Sequence, residues 1–156
     1  IKEKNLARAL QLFNKTNQFN FNLNRYTNTT LKKLLKNKIY SIEIISFKDK
    51  FGDHGIIGAY IVKQDKLKVE IIDFVLSCRV LNRYIEDFII LKIMKDNKNK
   101  KISIFYKRDK VNDILIPIFL KKEFFELKKK NNKLFKYDIK PINKSYEIEK
   151  IFNHRT

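Results

Sequence analysis

Residues 77–86 read SCRVLNRYIE, and this stretch joins a predicted strand to a predicted helix. The residues before it, 67–76, are rich in β-branched and aromatic side chains, as expected of a strand. From the end of the stretch onward, apolar side chains repeat at helical spacing: Ile85, Phe88, Ile89 and Ile93. Unpaired amides at a helix N-terminus attract anions, and Arg79 and Arg83 add positive charge there. The stretch therefore predicts a helix packed on a sheet, with a candidate anion site where strand meets helix.

All three glycines of the chain fall in one block, FGDHGIIG at residues 51–58. Glycine is retained where the backbone takes unusual torsions or approaches another group closely, so the sequence specifies a turn in this block. Strand-like patterns precede it at 39–47 and follow it at 56–62, and residues 64–66 form a short turn before 67–76. We therefore expect three strands in an antiparallel meander.

The rest of the chain alternates between helical and strand-like patterns. Helices are expected at 4–13 and from a Thr27 cap to Lys36, separated by an Asn-rich loop. Further elements are expected at the C-terminal side: a strand at 102–106, a helix at 111–119 that Pro117 bends or deprives of a hydrogen bond, and a hairpin of 124–127 with 134–139. The order is ααβββαβαββ, which predicts a single domain over residues 1–156 with its core at about 6–140. The strand-helix-strand order within it predicts that the strand ending near Leu76 diverges from its parallel neighbour at 102–106 and leaves a V-shaped cleft lined by Cys78, Arg79 and Asn82.

The 156 residues carry a formal net charge of +18, and its distribution is uneven. Residues 1–42 sum to +8, residues 43–97 to zero and residues 98–144 to +10. The basic flanks fit an acidic partner, such as an acyl carrier protein, a nucleic acid or an anionic surface. They equally fit the lysine, asparagine and isoleucine bias of an AT-rich genome. Only six of the 35 basic residues are Arg, which disfavours nucleic acid because base recognition uses arginine forks.

The sequence contains no apolar run that approaches the ~20 residues of a membrane span. It has one cysteine, so an internal disulfide is excluded. Both features lead us to expect a cytoplasmic protein without membrane contact.

Three blocks in this order carry a family resemblance: KTNQFN at 15–20 followed by Arg25-Tyr26-Thr27, then FGDHGIIG, then SCRVL. Together they resemble the C-terminal half of FkbH-like proteins, which belong to subfamily IIIC of the HAD superfamily, over residues 6–125. The resemblance implies a GNAT-like acyl-CoA N-acyltransferase fold of the α/β (α+β) class, with a mainly antiparallel sheet flanked by helices. The family's phosphatase motif D-x-D-x-T does not occur in the chain. We therefore interpret the chain as the C-terminal portion of a longer fusion, with the HAD phosphatase domain acting in cis or in trans.

The resemblance also implies a binding site for phosphopantetheine, on a carrier protein or as part of coenzyme A. GNAT proteins bind its phosphate at a turn with Gln or Arg first and glycines at the fourth and sixth positions. Here the turn begins with Arg79 and has Asn82 and Tyr84 at the glycine positions. Asn82 tolerates positive φ, and Arg79 and Arg83 can hold a phosphate by charge, but a purely structural turn fits equally. Of a later family motif that precedes a helix, Asn112 survives as a further cofactor-binding candidate.

Cys78, His54 and Asp53 are the candidate catalytic residues. Cys78 is the only thiol and would carry a transient acyl group, since neighbouring cationic side chains favour the thiolate that thioester exchange needs. His54 is a candidate general base. The alternatives are a buried cysteine at a strand end, and a hairpin in which Asp53 binds backbone amides. No ligand spacing for a metal site is present.

The amide side chains of the KTNQFN block are candidate substrate-binding groups: Asn17, Gln18 and Asn20. They can hydrogen-bond a polyhydroxylated acyl group, or they can tie down a long loop. The leading hypothesis is an acyltransferase-like domain that positions an acyl or glyceryl thioester for transfer. The alternative is a non-catalytic remnant that binds a carrier protein or partner domain, and a nucleic-acid-binding module is a weaker third hypothesis.

Overall fold

The structure, a computed structural model, describes residues 3–81 and 84–140. This part of the chain contains four α-helices: α1 (Glu3–Lys15), α2 (Asn28–Lys36), α3 (Ile85–Asp96) and α4 (Leu115–Leu120). α2 begins where the Thr27 side chain accepts a hydrogen bond from the Thr30 amide at 3.1 Å, as the sequence predicts. None of the helices in the described ranges is long and apolar enough to cross a bilayer.

The described residues form one six-stranded sheet: β1 (Tyr40–Asp49), β2 (Gly52–Gln64), β3 (Lys68–Leu76), β4 (Lys101–Lys107), β5 (Phe125–Asn131) and β6 (Leu134–Ile139). The strand order is β1-β2-β3-β4-β6-β5. Only β3 and β4 pair in parallel, and every other neighbouring pair is antiparallel. The predicted meander of three strands and the mainly antiparallel sheet are therefore confirmed.

Helices cover both faces of the sheet. α1 and α2 bury Phe13 and Leu31 against Ile42, Ile61 and Val75 of the first three strands. α3 and α4 pack on the opposite face, in a larger cluster that reaches from β2 to β6. Alternating side chains of β3 take part in both clusters, so β3 is the central strand of the fold.

Two boundaries differ from the sequence-based expectation. β2 begins at Gly52, and the turn of the β1–β2 hairpin is confined to Lys50 and Phe51. α4 begins at Leu115, because residues 110–114 form turns instead of a helix. This start places Pro117 in the first helical turn, where its missing N–H leaves no hydrogen bond unmade. The helix therefore loses no hydrogen bond at Pro117, one of the two effects expected of this residue.

Candidate functional site

β3 and β4 diverge at the centre of the sheet. They pair only from Lys68 to Ile71 and from Lys101 to Ile104. A bulge at Ile72 shifts the pairing of β3 with β2 at the same level, and bulges bend the strand that carries them. Beyond this level β3 continues to Leu76 without pairing to β4. The divergence predicted from the strand-helix-strand order is therefore present.

The gap between the two strands is filled by residues 19–22, from the loop between α1 and α2. The Phe21 amide donates to the Phe74 carbonyl at 2.9 Å, and the Leu76 amide donates to the Phe19 carbonyl at 3.0 Å. On the other side, the Lys107 amide donates to the Phe21 carbonyl at 2.9 Å. The segment thus satisfies backbone groups that the divergence leaves unpaired. An open cleft at this level, expected from the diverging strands, is wrong because the chain itself occupies the space.

Buried asparagine side chains fasten this segment. Asn22 donates its side-chain amide to the Ile72 carbonyl of β3 at 2.7 Å and to the Phe105 carbonyl of β4 at 3.1 Å. Asn112 donates to the Asn20 carbonyl at 2.8 Å. Neither Asn20 nor Asn112 has exposed surface. In this structure both side chains are therefore buried and hydrogen-bonded to backbone carbonyls.

Aromatic rings anchor the same segment in the core. Phe19 makes edge contacts with Phe74 at 5.6 Å and with Phe119 of α4 at 5.5 Å between ring centroids. Phe21 lies 5.4 Å from the Phe74 ring and 6.1 Å from that of Tyr106. Fully burying a phenylalanine side chain stabilises a protein by about 1.5–3 kcal/mol. Residues 19–22 are therefore part of the folded core.

Asp73 is a buried carboxylate at the bulge, and the sequence analysis missed it. It has no exposed surface, and it accepts hydrogen bonds from the Tyr26 hydroxyl at 2.8 Å and the Asn24 side chain at 3.2 Å. Burial raises the pKa of Asp73 to about 6, against the lowering effect of these hydrogen bonds. Burial, followed by the Asp73 charge, also raises the pKa of Tyr26. The signal in the sequence was a single acid inside the apolar run 71–76.

Cys78 and Arg79 lie at the end of β3, in a 3-10 turn at Cys78–Val80. The Ser77 amide donates to the Ile57 carbonyl at 2.7 Å, and Val80 is buried, so both sides of the turn are fixed. Cys78 itself is exposed, unlike the buried cysteine considered as its alternative. The exposed Arg79 side chain is directly beside it. Asn82 and Arg83, the other predicted phosphate ligands of this turn, lie outside the described residues.

The start of α3 differs from a glycine-containing phosphate turn. Tyr84 takes the left-handed conformation, with φ of 58°, which costs a residue with a Cβ about 1–2 kcal/mol. The first helical turn carries Glu86 and Asp87, and Asp87 forms an ion pair with Lys122. These carboxylates already interact with the positive end of the helix dipole. An incoming phosphate therefore meets two carboxylates at this helix N-terminus, one of them paired with Lys122.

His54 and Asp53 lie near the start of β2. The His54 Nε2 atom is 3.1 Å from Asp49 Oδ2, and its ring stacks on Phe47 with centroids 5.2 Å apart. Asp53 accepts a hydrogen bond from the Gly55 amide at 2.7 Å, which is the hairpin role considered as its alternative. Gly52 and Gly55 both have positive φ and lie in β2, where the pairing with β1 is irregular, so the glycines mark irregular strand backbone as well as the adjoining turn.

The register brings some of the predicted site residues to the same end of the sheet. Gly58 of β2 pairs with Leu76 at the carboxyl end of β3. The hairpin that carries His54 and the turn that carries Cys78 therefore both extend beyond this end of the two strands. In the described part of the chain no hydrogen bond or ion pair joins these two residues. The exposed Asn17 and Gln18 lie after α1, and Asn17 accepts a hydrogen bond from Arg25 at 2.5 Å. Residues 3–81 and 84–140 contain no group of three potential metal ligands.

Comparison with solved structures identifies similar folds. PaiA N-acetyltransferase from Thermoplasma acidophilum, in complex with coenzyme A, superposes with a TM-score of 0.54 at 19% identity, covering 74% of this chain and 72% of that chain. Ard1 from Thermoplasma volcanium gives a TM-score of 0.62 at 10% identity, covering 91% and 95%. The ribosomal-protein-S18-alanine N-acetyltransferase from Escherichia coli gives 0.57 at 7% identity, covering 92% and 94%.

No protein-family model matches the chain, and no curated protein sequence matches it significantly. The likeness to solved structures thus concerns the three-dimensional arrangement of helices and strands. This likeness agrees with the six-stranded sheet flanked by helices. The chain therefore has the GNAT acetyltransferase fold that the sequence resemblance implied.

Proposed function

We propose that this domain positions an acyl or glyceryl thioester, carried on phosphopantetheine, for transfer. The observation that carries the proposal is the exposed thiol of Cys78, fixed in a turn at the end of the central strand and next to Arg79. Two structural neighbours, PaiA from Thermoplasma acidophilum and the NatC complex, were solved with coenzyme A. Because the gap beside β3 is filled, the thioester approaches the outer end of this strand.

The proposed chemistry is a thioester exchange. The Cys78 thiolate attacks the thioester carbonyl, a new bond forms between its Sγ and the acyl carbon, and the bond from that carbon to the pantetheine sulfur breaks. The pantetheine thiolate leaves and takes the proton that Cys78 gave up. A second exchange, with an acceptor thiol, returns Cys78 to its free form. Neither step requires an oxidant, a reductant or a metal.

The other predicted residues have proposed roles around this thiol. Arg79 holds the phosphate of the pantetheine arm by charge, and Asn82 and Arg83 are its proposed partners. Asn17 and Gln18 are exposed and remain proposed contacts to the hydroxyls of the acyl group. His54 is the proposed base, and Asp53 would support its loop.

The wider context is also part of the proposal. The acyl donor is expected to be an acyl carrier protein, and a HAD phosphatase domain in cis or in trans would load it, as in the FkbH-like proteins that the sequence resembles. Coenzyme A is the alternative carrier of the same phosphopantetheine. The proposed setting is the cytoplasm, where carrier proteins and a reduced cysteine occur together.

A second candidate is a domain that binds a carrier protein without catalysing transfer. Two observations favour it. The gap between β3 and β4 is filled by residues 19–22 through backbone hydrogen bonds on both sides. The N-terminus of α3 has Tyr84 in a left-handed conformation and two carboxylates in its first turn, which weakens it as a phosphate site.

Intact-mass measurement separates the two candidates. The full chain is incubated with glyceryl and acetyl thioesters of a carrier protein, and with acetyl-coenzyme A. We expect the wild type to gain the acyl mass and to lose it on treatment with hydroxylamine, whereas Cys78→Ser gains nothing. His54→Asn should slow the gain without abolishing it.

Binding is measured in parallel, with the apo carrier and the phosphopantetheinylated carrier. An unmodified wild type that still binds the carrier supports the non-catalytic candidate. An unmodified wild type that binds neither form rules out both candidates. Arg79→Ala should weaken binding of the phosphopantetheinylated form only, and an equal effect on the apo form would make this turn purely structural.

A further inference from the structure

An exposed apolar stripe runs along α4 and the turn before it. Val111, Ile114 and Ile118, which contribute to the apolar spacing of this segment, are 46%, 70% and 61% exposed. The core contacts of this region are made instead by Asn112, Ile116, Phe119 and Leu120, which are buried. Ile114 is the N-cap residue of α4, in an αR conformation, and Ile118 follows it by four residues, so both lie on the same side of the first helical turn, while Val111 lies in the preceding turn. The stripe therefore faces away from the core that α4 covers.

Lysines lie before and after these apolar residues in the sequence. Lys107 and Lys110 precede them and Lys121 follows them, and all three are exposed. In the described part of the chain none of the three contacts a carboxylate. Two neighbouring cations are already engaged, because Arg108 pairs with Asp113 at 2.6 Å and Lys122 pairs with Asp87.

We propose that this surface docks an acidic amphipathic helix of a partner protein. The surface, called the α4 surface below, comprises Val111, Ile114 and Ile118 with Lys107, Lys110 and Lys121. A partner helix with an apolar stripe and acidic margins would cover the three apolar side chains and place carboxylates opposite the lysines. Segment 107–122 carries five basic and two acidic residues, a net charge of +3. We therefore expect this segment to attract an acidic partner.

The composition of the α4 surface favours a protein over a nucleic acid. Its free cations are all lysines, whereas recognition of nucleic acids favours arginine forks, and Arg108 is held by Asp113. It presents no aromatic ring on which a base could stack. Exposed isoleucine and valine side chains form neither hydrogen bonds nor ion pairs with phosphate groups, but they can pack against the apolar face of a helix.

The position of the α4 surface deepens the proposed function and rests on it for the identity of the partner. β3 and β4 are parallel, so the turn with Cys78 and the start of α4 follow the same ends of adjacent strands. Val80 of that turn and Phe119 of α4 belong to one core cluster. A carrier protein held by the α4 surface would present its phosphopantetheine arm to the end of the sheet where Cys78 is exposed.

Fluorescence anisotropy tests the docking without any thioester, so its failure is distinct from failure of the acyl transfer. The probe is a labelled helical peptide with a leucine stripe and glutamate margins, and the second probe has the same composition in scrambled order. Duplex DNA is the third probe. We expect the full chain to bind the amphipathic peptide at least about tenfold more tightly than the scrambled one.

Variants of the full chain identify the surface. Ile118→Gln should weaken peptide binding about tenfold at all salt concentrations, and Lys110→Glu with Lys121→Glu should weaken it mainly at low salt. The matched controls lie at the opposite end of the sheet, in the β2–β3 turn. Leu67, which is 72% exposed, is changed to Gln and Lys66 to Glu, and neither change should affect binding. Thermal unfolding confirms that each variant is folded.

Three outcomes would overturn the proposal. The first is equal binding of the amphipathic and scrambled peptides. The second is DNA binding that is tighter than peptide binding and insensitive to Ile118→Gln, since the surface would then be electrostatic. The third is self-association of the wild type in light scattering that Ile118→Gln abolishes, since a second copy would then cover the stripe.

Discussion

Replacement of Asp73 by Asn should change how the stability of the domain depends on pH. Asp73 is fully buried at the bulge of β3 and is held by Tyr26 and Asn24. Its pKa is raised from 3.8 to about 6. A carboxyl group whose pKa is raised by folding favours the folded state when it is protonated. The stabilising effect is complete below about pH 4 and is lost as the pH rises through about 6.

The size of this effect follows from the shift of about two pKa units. Each unit corresponds to about 1.4 kcal/mol, so the ionised Asp73 costs the folded state about 3 kcal/mol at neutral pH. Asp73→Asn removes this cost and retains an oxygen that accepts the Tyr26 hydroxyl. The free energy of unfolding of the variant, minus that of the wild type, should therefore increase by about 3 kcal/mol between about pH 4 and pH 7.

Urea titrations of both proteins across this range measure the difference. Subtraction removes the effects of the other carboxylates and of the high net charge, because these are common to both proteins. Tyr26→Phe is the second check. It deletes a hydrogen bond that lowers the pKa of Asp73, so the loss of stability should extend to higher pH. A difference that stays flat, or that decreases with pH, would refute the reasoning, because hydrogen bonds would then outweigh burial.

Other substitutions test the backbone features. Gly58→Ala should destabilise the domain by about 2 kcal/mol in urea unfolding, because a Cβ there would lie 2.5 Å from a Leu76 methyl group; an unchanged midpoint would contradict the close packing. Thr27→Ala removes the side chain that accepts the Thr30 amide and should cost about 1 kcal/mol, whereas Thr27→Ser should cost less. Tyr84→Gly should be about 1 kcal/mol more stable than Tyr84→Ala, since both lose the ring and only glycine tolerates the left-handed backbone freely. Equal stability of these two variants would mean that the conformation at this position is not strained.

The elements of the fold were predictable because their signals are local. The Thr27 cap, the apolar spacing of α3 and the turn at Asp65 each depend on residues within a few positions of one another. The end of α1 and the length of β2 were less well defined, as expected of element boundaries. The effect of Pro117 was harder to predict because it depends on where the helix begins, and residues 110–114 form turns.

The filled gap was not predictable from local patterns. The hydrogen bond from Asn112 to the Asn20 carbonyl joins residues 92 positions apart, and nothing in the KTNQFN block shows that its backbone pairs with β3. The exposure of the α4 stripe was missed for a related reason. Helical spacing shows which residues share a face, but it does not show which of two apolar faces meets the sheet.

The inserted segment also constrains how the chain can fold during its synthesis. Residues 19–22 leave the ribosome early, yet their hydrogen-bond partners extend to Lys107 and Asn112. At about 5–20 residues per second, a delay of roughly 5–20 s separates the synthesis of the two sides. During that time Phe19 and Phe21 have no native core to enter, so the nascent N-terminal region exposes aromatic surface. A chaperone or an upstream folded domain that shields this surface would therefore influence the yield of native protein more than it influences final stability.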